Sequence, residues 1–86
     1  MQYEIIRADE NSTTINVFSM MNEWIDYDFI VPTDMKHRAL EALSEAYDRW
    51  WDDDTGLTLF EELEFALKDA GIPFTSVVNE VEEKEV

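Results

Sequence analysis

Apolar residues change their spacing several times along this 86-residue chain, and each change marks an element. Residues 2–8, QYEIIRA, carry Tyr3, Ile5 and Ile6 and predict a first strand; the DENST that follows predicts a turn. Residues 13–25, TTINVFSMMNEWI, admit two periods. Ile15, Phe18, Met21 and Ile25 recur at helical spacing with Thr13 in place to cap, while TINVF alone is rich in strand formers. The helix is the preferred expectation. DYDFIVP alternates and predicts a short strand ended by Pro32. Thr33 or Asp34 then caps a helix that runs to about Trp51, and Gly56 breaks the chain. Thr58 and Glu61 have the spacing of a capping box, which opens a helix over residues 59–70; Gly71 stands at its C′ position with Pro73 beyond. FTSVVN, residues 74–79, predicts a last strand, and EVEEKEV, residues 80–86, an acidic flexible tail.

The expected architecture is α+β: a small antiparallel or mixed sheet of about three strands, with two to three helices packed on one side. Residues 1–79 form one compact domain, because the length suits one core and not two.

The central helix has two contrasting faces. At 100° per residue, Leu40, Leu43, Tyr47 and Trp50 cluster on one side, with Ala39, Ala46 and Trp51 at the edges. Glu41, Glu45, Asp48 and Asp52, spaced 4, 3 and 4, form a row opposite. Neighbours in such a row stand about 5–6 Å apart at Cβ and repel by a few tenths of a kcal/mol per pair. Arg38 and Arg49 are spaced to soften that repulsion within the helix. The row runs into Asp53 and Asp54 at the helix C-terminus, where the macrodipole disfavours anions. A solvated face and a helix stop account for these acids without any function. Burial of both tryptophans is the expectation, with a half-exposed Trp51 the alternative.

On the second helix Phe60, Leu63, Leu67 and Ala70, with Leu59 and Ala66, form the expected buried face; Glu61, Glu62, Glu64 and Asp69 are expected opposite. Phe65 falls among those acids. It is expected to be covered by another element, or else to offer an apolar contact in an acidic field.

Composition now changes the picture. Twenty-one Asp and Glu against six Lys and Arg give a net charge of −15. Glu41 to Glu64 alone hold nine acids and one base, Arg49. Such a surface repels polyanions, so direct contact with nucleic acid or an anionic membrane is not expected, and basic partners are favoured. Eleven aromatics argue for a real core rather than disorder. The chain has no cysteine, which removes disulfides, thiolate catalysis and thiolate metal sites. MQYEIIRADE lacks the pattern of a secretory leader, and no apolar run reaches membrane-spanning length, so a cytoplasmic protein is expected.

Catalytic chemistry finds little support. His37 is the single histidine and reads as a surface residue; no serine has a nucleophile's setting, and two glycines make no phosphate loop. DDDTG invites a calcium loop, but with Gly56 at the sixth position the first ligand falls on Trp51. A weak cation site from Asp52, Asp54 and Glu61 is the remaining metal reading. No enzyme, cofactor or resident metal is expected.

What is left is a small acidic interaction protein. In size, charge and lack of catalytic motifs it is similar to anti-CRISPR and anti-restriction inhibitors encoded by phages and mobile elements, a likeness of class and not of lineage. That likeness implies a nucleic-acid mimic acting in the host cytoplasm on a basic nucleic-acid-binding protein. The contact residues would be Glu41, Glu45, Asp48, Asp52, Asp53, Asp54, Glu61, Glu62 and Glu64, with Trp51 and Phe65 as apolar anchors. The alternative is an adaptor or assembly protein that works through an apolar patch and carries charge for solubility. A homodimer is compatible with either.

Overall fold

The computed structural model describes residues 2–18, 26–52 and 56–79. Three strands come first: β1 (Gln2–Ala8), β2 (Ser12–Phe18) and β3 (Asp26–Pro32). A single 3₁₀ turn, Thr33–Met35, leads into α1 (Lys36–Asp52). Then follow α2 (Leu59–Asp69) and β4 (Thr75–Val78). The four strands form one antiparallel sheet in the order β1-β2-β3-β4. The fold is α+β; the described residues form four strands, where about three were expected, and two α-helices.

The extra strand is β2, where a helix over 13–25 was expected. Thr13, Ile15 and Val17 are buried and the residues between them are not, a period of two. β-branched side chains at 13, 14, 15 and 17 suit a pleated surface and lose χ1 freedom in a helix. The helical spacing rested on Met21 and Ile25, which lie outside the described residues, as does the tail at 80–86.

One face of the sheet is covered. Ile15, Val17, Phe29 and Val31 meet Ala39, Leu43 and Ala46 of α1 and Leu59, Leu63, Ala66 and Leu67 of α2 in a single core. Phe29 lies near its centre, stacked on Phe60 at 5.8 Å and edge-on to Phe74 at 6.1 Å. The buried stripe of α1 is centred on Ala39, Leu43 and Ala46, rotated from the expected Leu40, Tyr47 and Trp50. Small alanines bring the helix close, and the larger side chains pack along its flanks.

Local chemistry places the ends. Thr58 Oγ1 accepts from the Glu61 amide at 3.1 Å and Glu61 Oε1 accepts from the Thr58 amide at 3.0 Å, completing the capping box. At the other end of α2, Gly71 takes a φ of +75°, its amide donates to the Lys68 carbonyl, and the Ile72 amide donates to Leu67. This is a Schellman closure, and it turns Ile72 into the core. The start of α1 differs from expectation. Neither Thr33 nor Asp34 caps it; Pro32 stands at the cap of the 3₁₀ turn without a side-chain bond. Thr33 Oγ1 instead donates to the Asp9 carbonyl at 2.6 Å, tying the β1–β2 turn to the helical layer. In that turn the Ser12 and Asn11 amides donate to the Asp9 carboxylate and hold its pKa below the usual range.

Replacing Thr58 by alanine removes the acceptor for one orphan amide. It should lower stability by about 1 kcal/mol, seen as a shift of the urea midpoint at unchanged slope.

Candidate partner-binding site

α1 presents Glu41, Glu45, Asp48 and Asp52 on its solvent side, all exposed. Among the described residues none of the four forms an ion pair. The helical arginines do not serve them. Arg38 Nη2 donates to the Ala70 carbonyl at 2.7 Å, at the C-terminal end of α2. Arg49 Nε donates to Glu62 Oε2 at 3.2 Å, in the first turn of α2. The expected softening within the row is therefore absent, because both cations are drawn into the joint between two antiparallel helices. Arg38 also complements the negative end of the α2 dipole there.

Three of the four acids of α2, Glu61, Glu62 and Glu64, are engaged within the protein, and Asp69 is exposed. Glu62 is only 6% exposed, and this corrects its expected place on the wet face. It lies three residues after Leu59 and four before Ala66, so helical spacing points it along the buried stripe toward α1. Glu64 is half-buried, and Ser76 Oγ of β4 donates to its Oε2 at 2.6 Å. Glu61 is exposed, with its carboxylate in the capping box. Asp53 and Asp54 lie outside the described residues. Of the seven clustered acids that are described, the four on α1 form one open row.

An aromatic cluster closes the C-terminal end of that row. Trp51 lies 5.7 Å from Trp50 and 6.3 Å from Tyr47, edge-on to both. Trp50 is half-buried and donates its indole N–H to the Leu57 carbonyl at 3.1 Å. Trp51 was expected in the core but is 65% exposed, since position 51 lies beyond the rotated stripe. Phe65 was expected to be covered and is 60% exposed. Trp51 is held by two ring contacts while its remaining surface faces water, on the flank of the acidic row next to Asp48.

The outer face of the sheet carries a polar group that the sequence did not announce. Asn16 Nδ2 donates to Asp26 Oδ1 at 2.7 Å and to Asp28 Oδ1 at 2.8 Å, and Asn79 Nδ2 donates to the same Asp26 oxygen at 3.1 Å. The D-x-D alternation of residues 26–28 was its one visible trace. Among the described residues no three His, Cys, Asp or Glu side chains converge as a metal site. His37 is exposed. A shallow depression of about 280 Å³ beside Pro32 and Pro73 holds no carboxylate, histidine or lysine. No described helix is long and apolar enough to cross a membrane. No family model, curated protein or solved structure matches this chain.

The Arg49–Glu62 pair makes a checkable demand. Replacing Arg49 by methionine leaves a buried carboxylate without its cation and should cost about 1–3 kcal/mol. Adding Glu62→Leu should recover much of that loss, because the desolvation cost disappears with the charge. Chemical denaturation of the single and double variants measures both steps.

Proposed function

We propose that this protein is an inhibitor that binds a basic, nucleic-acid-binding protein through α1 and occupies the place of a nucleic-acid strand. The observation that carries this reading is the unneutralised row Glu41, Glu45, Asp48 and Asp52 beside two arginines that are committed elsewhere. From Glu41 to Asp52 the helix rises about 16 Å. One strand of duplex DNA places a phosphate every 3.4 Å or so, about five over that distance. Four carboxylates on a rigid helix approach the charge of one strand, not of a duplex. Trp51 at the end of the row supplies an aromatic face on which an arginine of the partner stacks. Its ring is already held by Trp50 and Tyr47, so little side-chain freedom is lost on binding. CRISPR or restriction nucleases of a host cytoplasm are partners of the required chemistry.

The adaptor reading has an observation of its own, the exposure of the Trp51 and Phe65 rings on the helices. Salt separates the two. Binding through the row should weaken about tenfold or more between low salt and 0.2 M, whereas an apolar contact holds or strengthens.

The test is a pull-down from host lysate on the immobilised protein, with elution first by salt and then by added duplex DNA. The mimic reading expects nucleic-acid-binding proteins that leave with either eluant and fail to bind the Glu45→Gln, Asp48→Asn, Asp52→Asn triple variant. These positions are exposed and mutually repulsive, so neutralising them should not lower stability. Partners that resist salt, ignore DNA and still bind the triple variant, but are lost with Trp51→Ala, would establish the adaptor instead.

A further inference from the structure

β1 is an edge strand whose outer side pairs with nothing among the described residues. Seven residues long and free of proline, it is longer than most edges that proteins leave open. The helical layer stops short of it. Tyr3 and Ile5 lie opposite Val17 and Ile15 of β2, on the covered face of the sheet. Yet Val17 and Ile15 are fully buried, while Tyr3 and Ile5 are 41% and 42% exposed and Ile6 is 51% exposed.

The pairing of β1 with β2 contains an irregularity. Ile5 faces Ile15 and Arg7 faces Thr14, so Ile6 is an extra residue. In a regular strand, positions three apart point to opposite faces. Here Glu4 faces Asn16 and Arg7 faces Thr14, two residues apart on β2, so Glu4 and Arg7 share the outer face. Tyr3, Ile5 and Ala8 share the other, opposite Val17, Ile15 and Thr13.

This arrangement is self-complementary. Consider a second β1 laid antiparallel along the first, about a two-fold axis through the Ile5–Ile6 midpoint. Glu4 then stands opposite the partner's Arg7 and Arg7 opposite the partner's Glu4, all on the outer face. Tyr3 stands opposite the partner's Ala8, and Ile5 opposite the partner's Ile6. Paired residues must share a face for such a sheet to continue, and without the extra residue Glu4 and Arg7 would not. With charges of one sign at both positions, each would be opposed by its own kind, twice over. We propose that two copies of this chain pair through β1 in this register, joining two four-stranded sheets into one of eight.

The opposing force is the −15 carried by each copy. At 0.01 M salt the screening length is about 30 Å and whole molecules repel; at 0.15 M it is about 8 Å and only the interface counts. The dimer should therefore tighten as salt rises from 0.01 to 0.15 M, opposite in sign to the proposed partner binding. A contact of one strand is small, so dissociation in the range of roughly 10–100 µM is expected.

Sedimentation equilibrium of the full chain, from about 10 µM to about 1 mM in 0.15 M salt, tests this range. The expected result is a monomer–dimer equilibrium. Arg7→Glu alone and Glu4→Arg alone should each abolish it by placing like charges opposite one another twice, and the Glu4→Arg, Arg7→Glu double variant should restore it. Circular dichroism and melting of each variant check that the monomer remains folded. A wild-type chain that stays monomeric to 1 mM overturns the proposal and leaves the extra residue as a guard against pairing. Single variants that still dimerise, or a folded double variant that does not, overturn the register and with it the proposal.

Discussion

Phe29 is the point at which the two layers are joined. It comes from β3, one of the two inner strands, and touches Phe60 of α2 and Phe74 in the segment that leads to β4. Full burial of such a side chain contributes about 1.5–3 kcal/mol. Its position matters as much as that magnitude, because the same contact sets the distance between sheet and helices and returns the chain for its last strand. The molecule is thin, about 17 Å along its shortest axis against 41 and 32 Å along the others. Among the described residues one layer of side chains between one sheet and two helices is the interior, and a chain of charge −15 must be held together by that layer against its own repulsion.

The distribution of charge follows from this shortage of interior. The α1–α2 joint uses Arg38 and Arg49, two of the six basic residues of the chain. Bringing Glu62 out of water has a desolvation cost that its pairing with a half-exposed arginine does not clearly outweigh. The pair is better understood as a device of register, since a slip of α2 along α1 would part the two charges. The outward row of α1 is what remains after the arginines have been used in the joint. An acidic face and an ordered helix pair are thus two results of one allocation.

Much of the frame was legible in the residues. Capping chemistry located α2, because Thr58, Glu61 and Gly71 act through contacts within a few residues of themselves. The strands at 2–8 and 26–32 were legible for the same local reason. The segment at 13–25 was not, since Ile15 and Val17 serve a period of two while Ile15 and Phe18 also fit a helix, and tertiary pairing with β1 and β3 decides between them. Glu62 and Trp51 were misplaced by the same simplification, in which residue type stood for direction. Glu62 points inward because of its place between Leu59 and Ala66, and Trp51 outward because alanines, rather than the larger residues, centre the buried stripe of α1. The open acids of α1 were visible in the 4, 3, 4 spacing; the engagement of those on α2 depends on Arg49 and Ser76, distant in sequence.

The order of the strands has a consequence for how the chain comes into being. β1, β2 and β3 are neighbours in sequence and in space, whereas β4 joins β3 only after both helices have been made; Asn79 and Asp26, which meet at that junction, are 53 residues apart. Synthesis proceeds from the N-terminus at about 5–20 residues per second. For several seconds a nascent meander would therefore carry Ile15, Val17, Phe29 and Val31 on a bare face, with the β3 edge still unpaired. The helices that later cover this face hold eight acids and four bases, whereas residues 1–32 hold six acids and only Arg7. The net −5 of residues 1–32 is therefore what keeps neighbouring nascent chains apart during the interval in which the sheet most needs protection, before the helices arrive to hide it.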